Sequence, residues 1–471
     1  MPSTTIEELE QWMQVPKETE GLEFKAARNS FSVERVMDYS VGIGNDGGGK
    51  LVLGVTNSPP REVCGTSAVG DTQDAQKKIL DKLHFEVKIE ELTHPKGRVI
   101  ICHIPGRPPG TAWHHDGRYL MRSGEELRAM SPDRLRQIFE EGKPDWLMLP
   151  AKRDCTAAEV IRLLDTQAYY DMKPEPYPLN QAAVLERFVS EKFITESDNG
   201  FVITNLGAVL FAKRMDEFDN LYRKTPRVVV YDGTDKLKNS RVFQPGVKGY
   251  VVGFAGLIDF VSAQIPTNEV FGKALRQDVK MFPDIMLREL IANALIHQDF
   301  NETGTSVTIE IYGDRIEILN PGVSIVSPDR FIDAYQSRNE RLADVMRRMG
   351  ICEEQGRGVD KVVNLAEILQ LPPPDWRSGE RHTGAVLFAH KPFEEMDANE
   401  RVRAAYQHCV LKYMMNERMN NQSLRDRFGL TNDKTELVSG IIGDAIRQGK
   451  IKLENPENAS RRYAKYVPNW A

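Results

Sequence analysis

The chain has 471 residues and a mass of 53.4 kDa, is 41% hydrophobic and 28% charged, and carries a formal net charge of −6. These values describe an ordinary globular protein of about two to four domains and exclude a disordered or fibrous chain. No apolar run approaches a membrane span, and the opening "MPSTTIEELEQWMQVPKETE" is acidic where a signal peptide is basic and then apolar, so no membrane association and a cytoplasmic location are expected. Five cysteines (Cys64, Cys102, Cys155, Cys352, Cys409) stand far apart with no CxxC pair, which argues for buried thiols rather than a zinc or disulfide framework. Residues 401–471 hold 13 Lys and Arg against 7 Asp and Glu, a net of +6, which leaves −12 for the rest. A basic tail on an acidic protein suggests a phosphate-bearing partner, although a basic face is often only solvated.

The pattern along the chain is α+β and multidomain. Residues 1–145 begin with an acidic helix and "GLEFKAA". A helix near Ser32 to Val41 follows, then the glycine cluster and the alternating strand "KLVLGVTN". Strands at "FEVKIEEL", "RVIICHIPG" and "GRYLMRSG" and a helix from about Ser131 to Glu141 complete the region. "GNDGGGK" (Gly44 to Lys50) comes close to the phosphate-binding pattern GxxxxGK[ST], but Leu51 replaces the hydroxyl residue. The loop also runs from helix to strand, the reverse of the required order. It is read as a glycine turn.

After a break at "EGKPDWLMLP", residues 150–275 form a connecting α/β region, with helices at "AAEVIRLLDTQ" and "LNQAAVLERF" and expected strands at "GFVITNLGAVLFAK" and "PRVVVYDG". Residues 276–393 open with the helix "LRELIANALIHQDF". There Leu287, Leu290, Ile291, Ala294 and Leu295 form a buried stripe, and Glu289, Asn293 and His297 recur every fourth position beside it. Such a polar stripe faces either solvent or a ligand. The hairpin "SVTIEIYGDRIEILNPG" follows, with Asp314 read as a turn residue at its bend. Next come "GRGVDKVVNLAEIL" and the strand "GAVLFAHKPF". Residues 396–471 read as three helices and a hairpin-like end.

The combination "ETEGLEFK", "GNDGGGKLVLGV" and "RYLMRSG" resembles the Schlafen AlbA-like domain, an α+β module. In nuclease members of that family two glutamates and a later acidic residue carry metal-dependent RNA cleavage. The glutamates correspond to Glu18 and Glu23, but the third position reads Thr56–Asn57, and a neutral amide removes one charge from a metal site. The resemblance implies nucleic-acid binding, with Lys25, Arg28 and Arg122 as phosphate contacts. The plainer alternative is that Glu18 and Glu23 are exposed or ion-paired with Lys17 and Lys25.

"RELIANALIHQDF", "DRIEILNPG" and "EEQGRGVDKVV", in that order, resemble the divergent ATP-binding domain of the gyrase, histidine kinase and MutL (GHKL) superfamily, an α/β sandwich. The resemblance implies ATP and Mg2+ as cofactors. Asn293 is then the magnesium ligand, and Glu289 orients or deprotonates the attacking water. His297 approaches a phosphate or caps the local structure. Asn320 and Gly322 correspond to the adenine-binding motif, with an asparagine where the superfamily usually has an aspartate. Gly356 and Gly358 allow backbone approach to phosphate ahead of a helix. Arg338 and Asn339, in the lid segment "SRNERLADVMRRMG", are expected to contact the phosphates or a partner subunit.

The last 76 residues resemble a winged helix-turn-helix. Lys434 and Thr435 would start its recognition helix, and Lys450, Lys452, Arg461, Arg462 and Lys465 would bring the wing to a phosphate backbone. The alternative use of such a module is protein contact or dimerisation. The order of modules resembles bacterial ATP-binding transcriptional regulators. It implies a homo-oligomeric, slowly ATP-hydrolysing regulator whose nucleotide state switches DNA binding. The competing readings are a metal-dependent RNA-cleaving effector of phage defence and an ATP-binding scaffold that hydrolyses nothing.

Overall fold

The computed structural model describes the chain except residues 1–3, 16–20, 124–125, 143, 174, 238, 244–245, 272–275, 353–357 and 456–463. Glu18, Gly356, Arg461 and Arg462 therefore lie outside the described residues. The chain divides into two compact units, Met1–Pro144 and Asp145–Ala471.

The first unit is built on a four-stranded sheet in the order Leu22–Lys25, Gly49–Leu53, Gly97–Ile104, Lys88–His94. The first pair is parallel and the others antiparallel, so the helix Val33–Asn45 is the crossover that a parallel pair requires. Ser32 starts it, its hydroxyl accepting from the Arg35 amide. One sheet face, with Leu51, Leu53, Ile100 and Cys102, packs on this helix and on Thr72–Leu83. The other, with Phe24, Val52 and Ile101, is covered by Leu9 of the helix Ile6–Met13. The glycine cluster is the turn from helix to strand: Gly48 has φ +90°, and a Cβ there would lie 2.5 Å from the Gly106 nitrogen. That explains the glycines without any phosphate.

The second unit begins with the small sheet Pro150–Cys155, Gly200–Thr204, Ile194–Ser197. The expected strand "GFVITNLGAVLFAK" is half strand and half helix. Only Gly200–Thr204 is extended, and Asn205–Phe211 is helical. Thr204 makes the switch, its hydroxyl accepting from the Gly207 amide as an N-cap. The helix is buried all round, so no polar face marks its period in the sequence.

The main sheet has six strands in the order Ser240–Phe243, Arg227–Tyr231, Thr308–Ile311, Arg315–Pro321, His382–Phe388, Asp375–Ser378. Arg227–Tyr231 runs parallel to Thr308–Ile311, and the other neighbours are antiparallel. Two strands of the region 150–275 thus share one sheet with strands of 276–393. One hydrophobic core runs through both regions and takes in the helices Tyr250–Gln264, Asp284–His297 and Gly358–Ile368.

The carboxy-terminal segment folds as helices Ala398–Met414, Asn421–Arg427 and Thr435–Arg447, followed by the antiparallel pair Ile451–Leu453 and Tyr466–Pro468. Its core also contains Ile332 and Val363, so the segment is packed onto the six-stranded region rather than hung from it as a tail. Among the described residues no helix is long and apolar enough to cross a membrane.

Candidate functional site

The helix Asp284–His297 carries Glu289, Asn293 and His297 on successive turns of one face, and all three line a cleft beside the main sheet. Asn320 and Ile318 enter from strand Arg315–Pro321, and Thr383 and Ala385 from its neighbour. Arg338, Arg347, Cys352, Phe331, Tyr335, Trp376 and Gly358 complete the wall. The space enclosed within the cleft is about 130 Å³, and it opens to solvent at its mouth.

Gly358 is the first residue of the helix Gly358–Ile368. A Cβ there would overlap the Glu289 carboxylate and lie 3.6 Å from Asn293 Nδ2. The Gly358 end of this helix therefore stands directly against an acid and an amide, and a helix amino terminus favours anions. Glu289 itself is buried.

Arg338 donates to Asp299 Oδ2 at 3.1 Å and to the Val323 carbonyl at 2.6 Å, tying the end of the long helix to the loop after Asn320. Asn339 donates to the carbonyls of Ile296 (2.6 Å) and Gln298 (2.8 Å). It therefore satisfies the carboxy-terminal carbonyls of the Glu289 helix instead of reaching into the cleft. Gly322 sits behind the site. Its φ is +96°, a Cβ would lie 2.6 Å from Asp299 Cβ, and its carbonyl accepts from the Thr383 hydroxyl at 2.9 Å. Asn320 is buried opposite Thr383 in the register. The His297 ring meets Tyr335 edge-on with centroids 5.9 Å apart. Burial, aided by the nearby Arg338 charge, pushes its pKa down to about 4, so the imidazole is neutral at pH 7. Burial pushes the Cys352 thiol up to about 11, which leaves it protonated and unreactive.

The first unit presents a different arrangement. Glu23 is fully buried, with Lys25 Nζ and Arg122 Nη2 each 2.5 Å from one of its oxygens. Lys25 and Arg122, expected at nucleic-acid phosphates, are thus both engaged by an internal carboxylate. Asn57 holds the local turn, its Oδ1 accepting from the Ala26 amide at 3.2 Å. Arg28 is exposed. No group of three or more His, Cys, Asp or Glu side chains suited to a metal occurs among the described residues.

In the carboxy-terminal segment Lys434 and Thr435 stand exposed at the start of Thr435–Arg447, and Lys465 is exposed. Lys450 donates to Asp329 Oδ2 at 2.7 Å, and Lys452 to the Ala471 carbonyl oxygen at 2.5 Å. Lys450 and Lys452 therefore both have internal partners. The third helix offers no basic residue between Lys434 and Arg447, and Arg447 pairs with Asp444.

Residues 18–131 match the family model described as "Schlafen, AlbA_2". Residues 304–387 match the model described as "Putative ATP-dependent DNA helicase recG C-terminal", a match that begins after the helix bearing Glu289 and Asn293. The resemblances drawn from the two sets of motifs thus recur as domain-length matches. Among solved structures, a Corynebacterium diphtheriae protein named DIP2311 is similar at 15% identity over 96% of this chain and 92% of its own, with a TM-score of 0.44. The N-terminal domain of a Nitrosomonas europaea protein described as RecG-related is 15% identical over 28% of this chain and 95% of its own, with a TM-score of 0.19. No curated protein matches the chain.

Proposed function

We propose that the cleft binds ATP with magnesium and hydrolyses it slowly, and that the protein is a nucleic-acid-binding regulator whose nucleotide state alters its hold on DNA. The observation that carries this reading is the convergence of Glu289 and Asn293 on the amino end of Gly358–Ile368, at the wall of the cleft. Asn293 would hold the metal, and a bound magnesium would neutralise charge on the phosphates during transfer. Glu289 would orient the attacking water and take its proton. Neutral His297 is able to donate a hydrogen bond to a phosphate oxygen without a fixed charge. Asn320 and Thr383, opposite each other on neighbouring strands, would meet the base.

The nucleic-acid half of the proposal draws on the two matched descriptions, one Schlafen AlbA and the other a DNA helicase carboxy-terminal region, and on the winged arrangement with exposed Lys434 and Lys465. Metal-dependent RNA cleavage at Glu23 is not part of it, because two cations already neutralise that carboxylate. The test is phosphate release from magnesium ATP by the whole protein, by Glu289→Gln and by Asn293→Ala, with and without duplex DNA, beside a calorimetric titration of ATP. The reading requires ATP binding by the wild type, hydrolysis lost in Glu289→Gln and a rate that responds to DNA. No heat of binding and no release would end it.

A further inference from the structure

The carboxy-terminal segment grips the cleft on two sides. On one side is the rim, the short turn Pro328–Arg330 that leads into the cleft residues Phe331 and Tyr335. Lys450, just before the wing strand Ile451–Leu453, holds the Asp329 carboxylate at 2.7 Å. The Tyr406 hydroxyl donates to the Asp329 carbonyl at 2.6 Å and accepts from the Trp470 indole at 3.2 Å, and the Arg330 guanidinium lies 4.1 Å from the Trp470 ring centroid. On the other side is Gly358–Ile368. Its first residue abuts Glu289, and near its far end the Glu367 carboxylate takes His408 Nδ1 at 3.0 Å and lies 3.5 Å from Arg427 Nε.

The two attachments differ in how easily they break. His408 and Arg427 are buried, and separating a buried ion pair leaves a charge stranded away from water. Lys450 and Asp329 are 34% and 57% exposed, and a pair of that exposure contributes little and weakens with salt. A polyanion arriving at the wing offers Lys450 several phosphates in place of one carboxylate and releases counterions as it binds. The rim pair is therefore the attachment that a ligand is able to undo.

We propose that Asp329–Lys450 is an autoinhibitory latch. Closed, it occupies a wing lysine and pins the cleft rim. The phosphate backbone of a duplex nucleic acid takes Lys450 from Asp329 and removes one of the contacts that hold the rim, so that residues 329–335 rearrange more readily about a nucleotide. Conversely, a nucleotide that moves the rim releases Lys450 for the duplex, and the two affinities change by the same factor. The latch rests on the proposed function, since it assumes a nucleotide in the cleft and nucleic acid at the wing.

The experiment compares the whole protein with Asp329→Asn, which keeps the backbone carbonyl for Tyr406, and with Lys450→Ala. It measures amide hydrogen exchange over residues 328–335 and binding of a 30-base-pair duplex at low salt. Both variants are expected to exchange faster in the rim. Asp329→Asn is expected to bind the duplex up to about fivefold more tightly, and Lys450→Ala more weakly than wild type. Duplex binding by wild type with unchanged affinity and unchanged rim exchange in Asp329→Asn overturns the latch and leaves the proposed function standing. Failure of all three proteins to bind duplex overturns the nucleic-acid reading, and the release step with it, even if rim exchange rises.

Discussion

Two buried glutamates, Glu23 in the first unit and Glu289 in the second, have opposite surroundings. Glu23 lies between Lys25 and Arg122, each 2.5 Å away, so its oxygens are engaged by fixed cations and its charge is cancelled. Glu289 stands in the wall of the cleft, one turn from an amide that can ligate a cation and against the amino end of a helix. Burial and acidity are common to both. What separates a structural carboxylate from a candidate base is whether it is clamped between two fixed cations or stands in the wall of a cleft beside a second polar group.

The sharpest way to break this contrast is to neutralise each acid. Glu289→Gln keeps the shape of the site and is expected to lower phosphate release about 10²–10⁴-fold with ATP still bound by calorimetry, the usual scale for losing a general base. Glu23→Gln should leave that rate untouched and destabilise the first unit by about 3 kcal/mol, because Lys25 and Arg122 would remain close together around a neutral amide. Denaturant titration of the whole protein reads the second effect. Equal loss of turnover in both variants would erase the distinction.

The two regions also differ in how far their sequence discloses them. The stripe Glu289, Asn293, His297 is a local pattern, three residues on one helix, and the structure brings all three to one cleft with Asn320, Arg338 and Gly358. The glycine turn between Asn45 and Gly49 and the order of three helices and a strand pair in the carboxy-terminal segment are local as well. Lys25 and Arg122 looked available because their carboxylate partner is set by sheet packing: Arg122 and Glu23 are 99 positions apart in the sequence. Lys450 and Asp329 are 121 apart. Thr383 and Trp376 were missed for the same reason, since only the register of His382–Phe388 with its neighbours puts them beside the cleft. The strands Arg227–Tyr231 and Ser240–Phe243 gave no sign of joining a sheet whose other strands begin at Thr308, because parallel pairing across such a gap leaves no local mark.

A third variant tests the cleft's geometry apart from its chemistry. Gly358→Ala introduces a Cβ against the Glu289 carboxylate, which has to turn aside to make room for it. The expected result is weaker ATP binding with little change in the unfolding midpoint of the second unit. An unchanged ATP affinity would show that the helix end does not meet the ligand.

The smallest expected effect belongs to His297. Its folded pKa is about 4 against an ordinary 6.5, so between those values the unfolded chain takes up a proton that the folded chain refuses. The stabilisation is complete above pH 6.5 and is lost as pH falls through about 4. Thermal unfolding of wild type between pH 7 and pH 4.5 should therefore drop by roughly 1–3 °C more than that of His297→Gln, which has no proton to gain. Saturating nucleotide adds a second arm. A phosphate beside the ring favours the imidazolium and raises the folded pKa towards 6.5, so the two curves should draw together. Curves that stay apart with nucleotide bound would place the phosphates away from His297 and leave only Glu289 and Asn293 of the polar stripe at the reacting end.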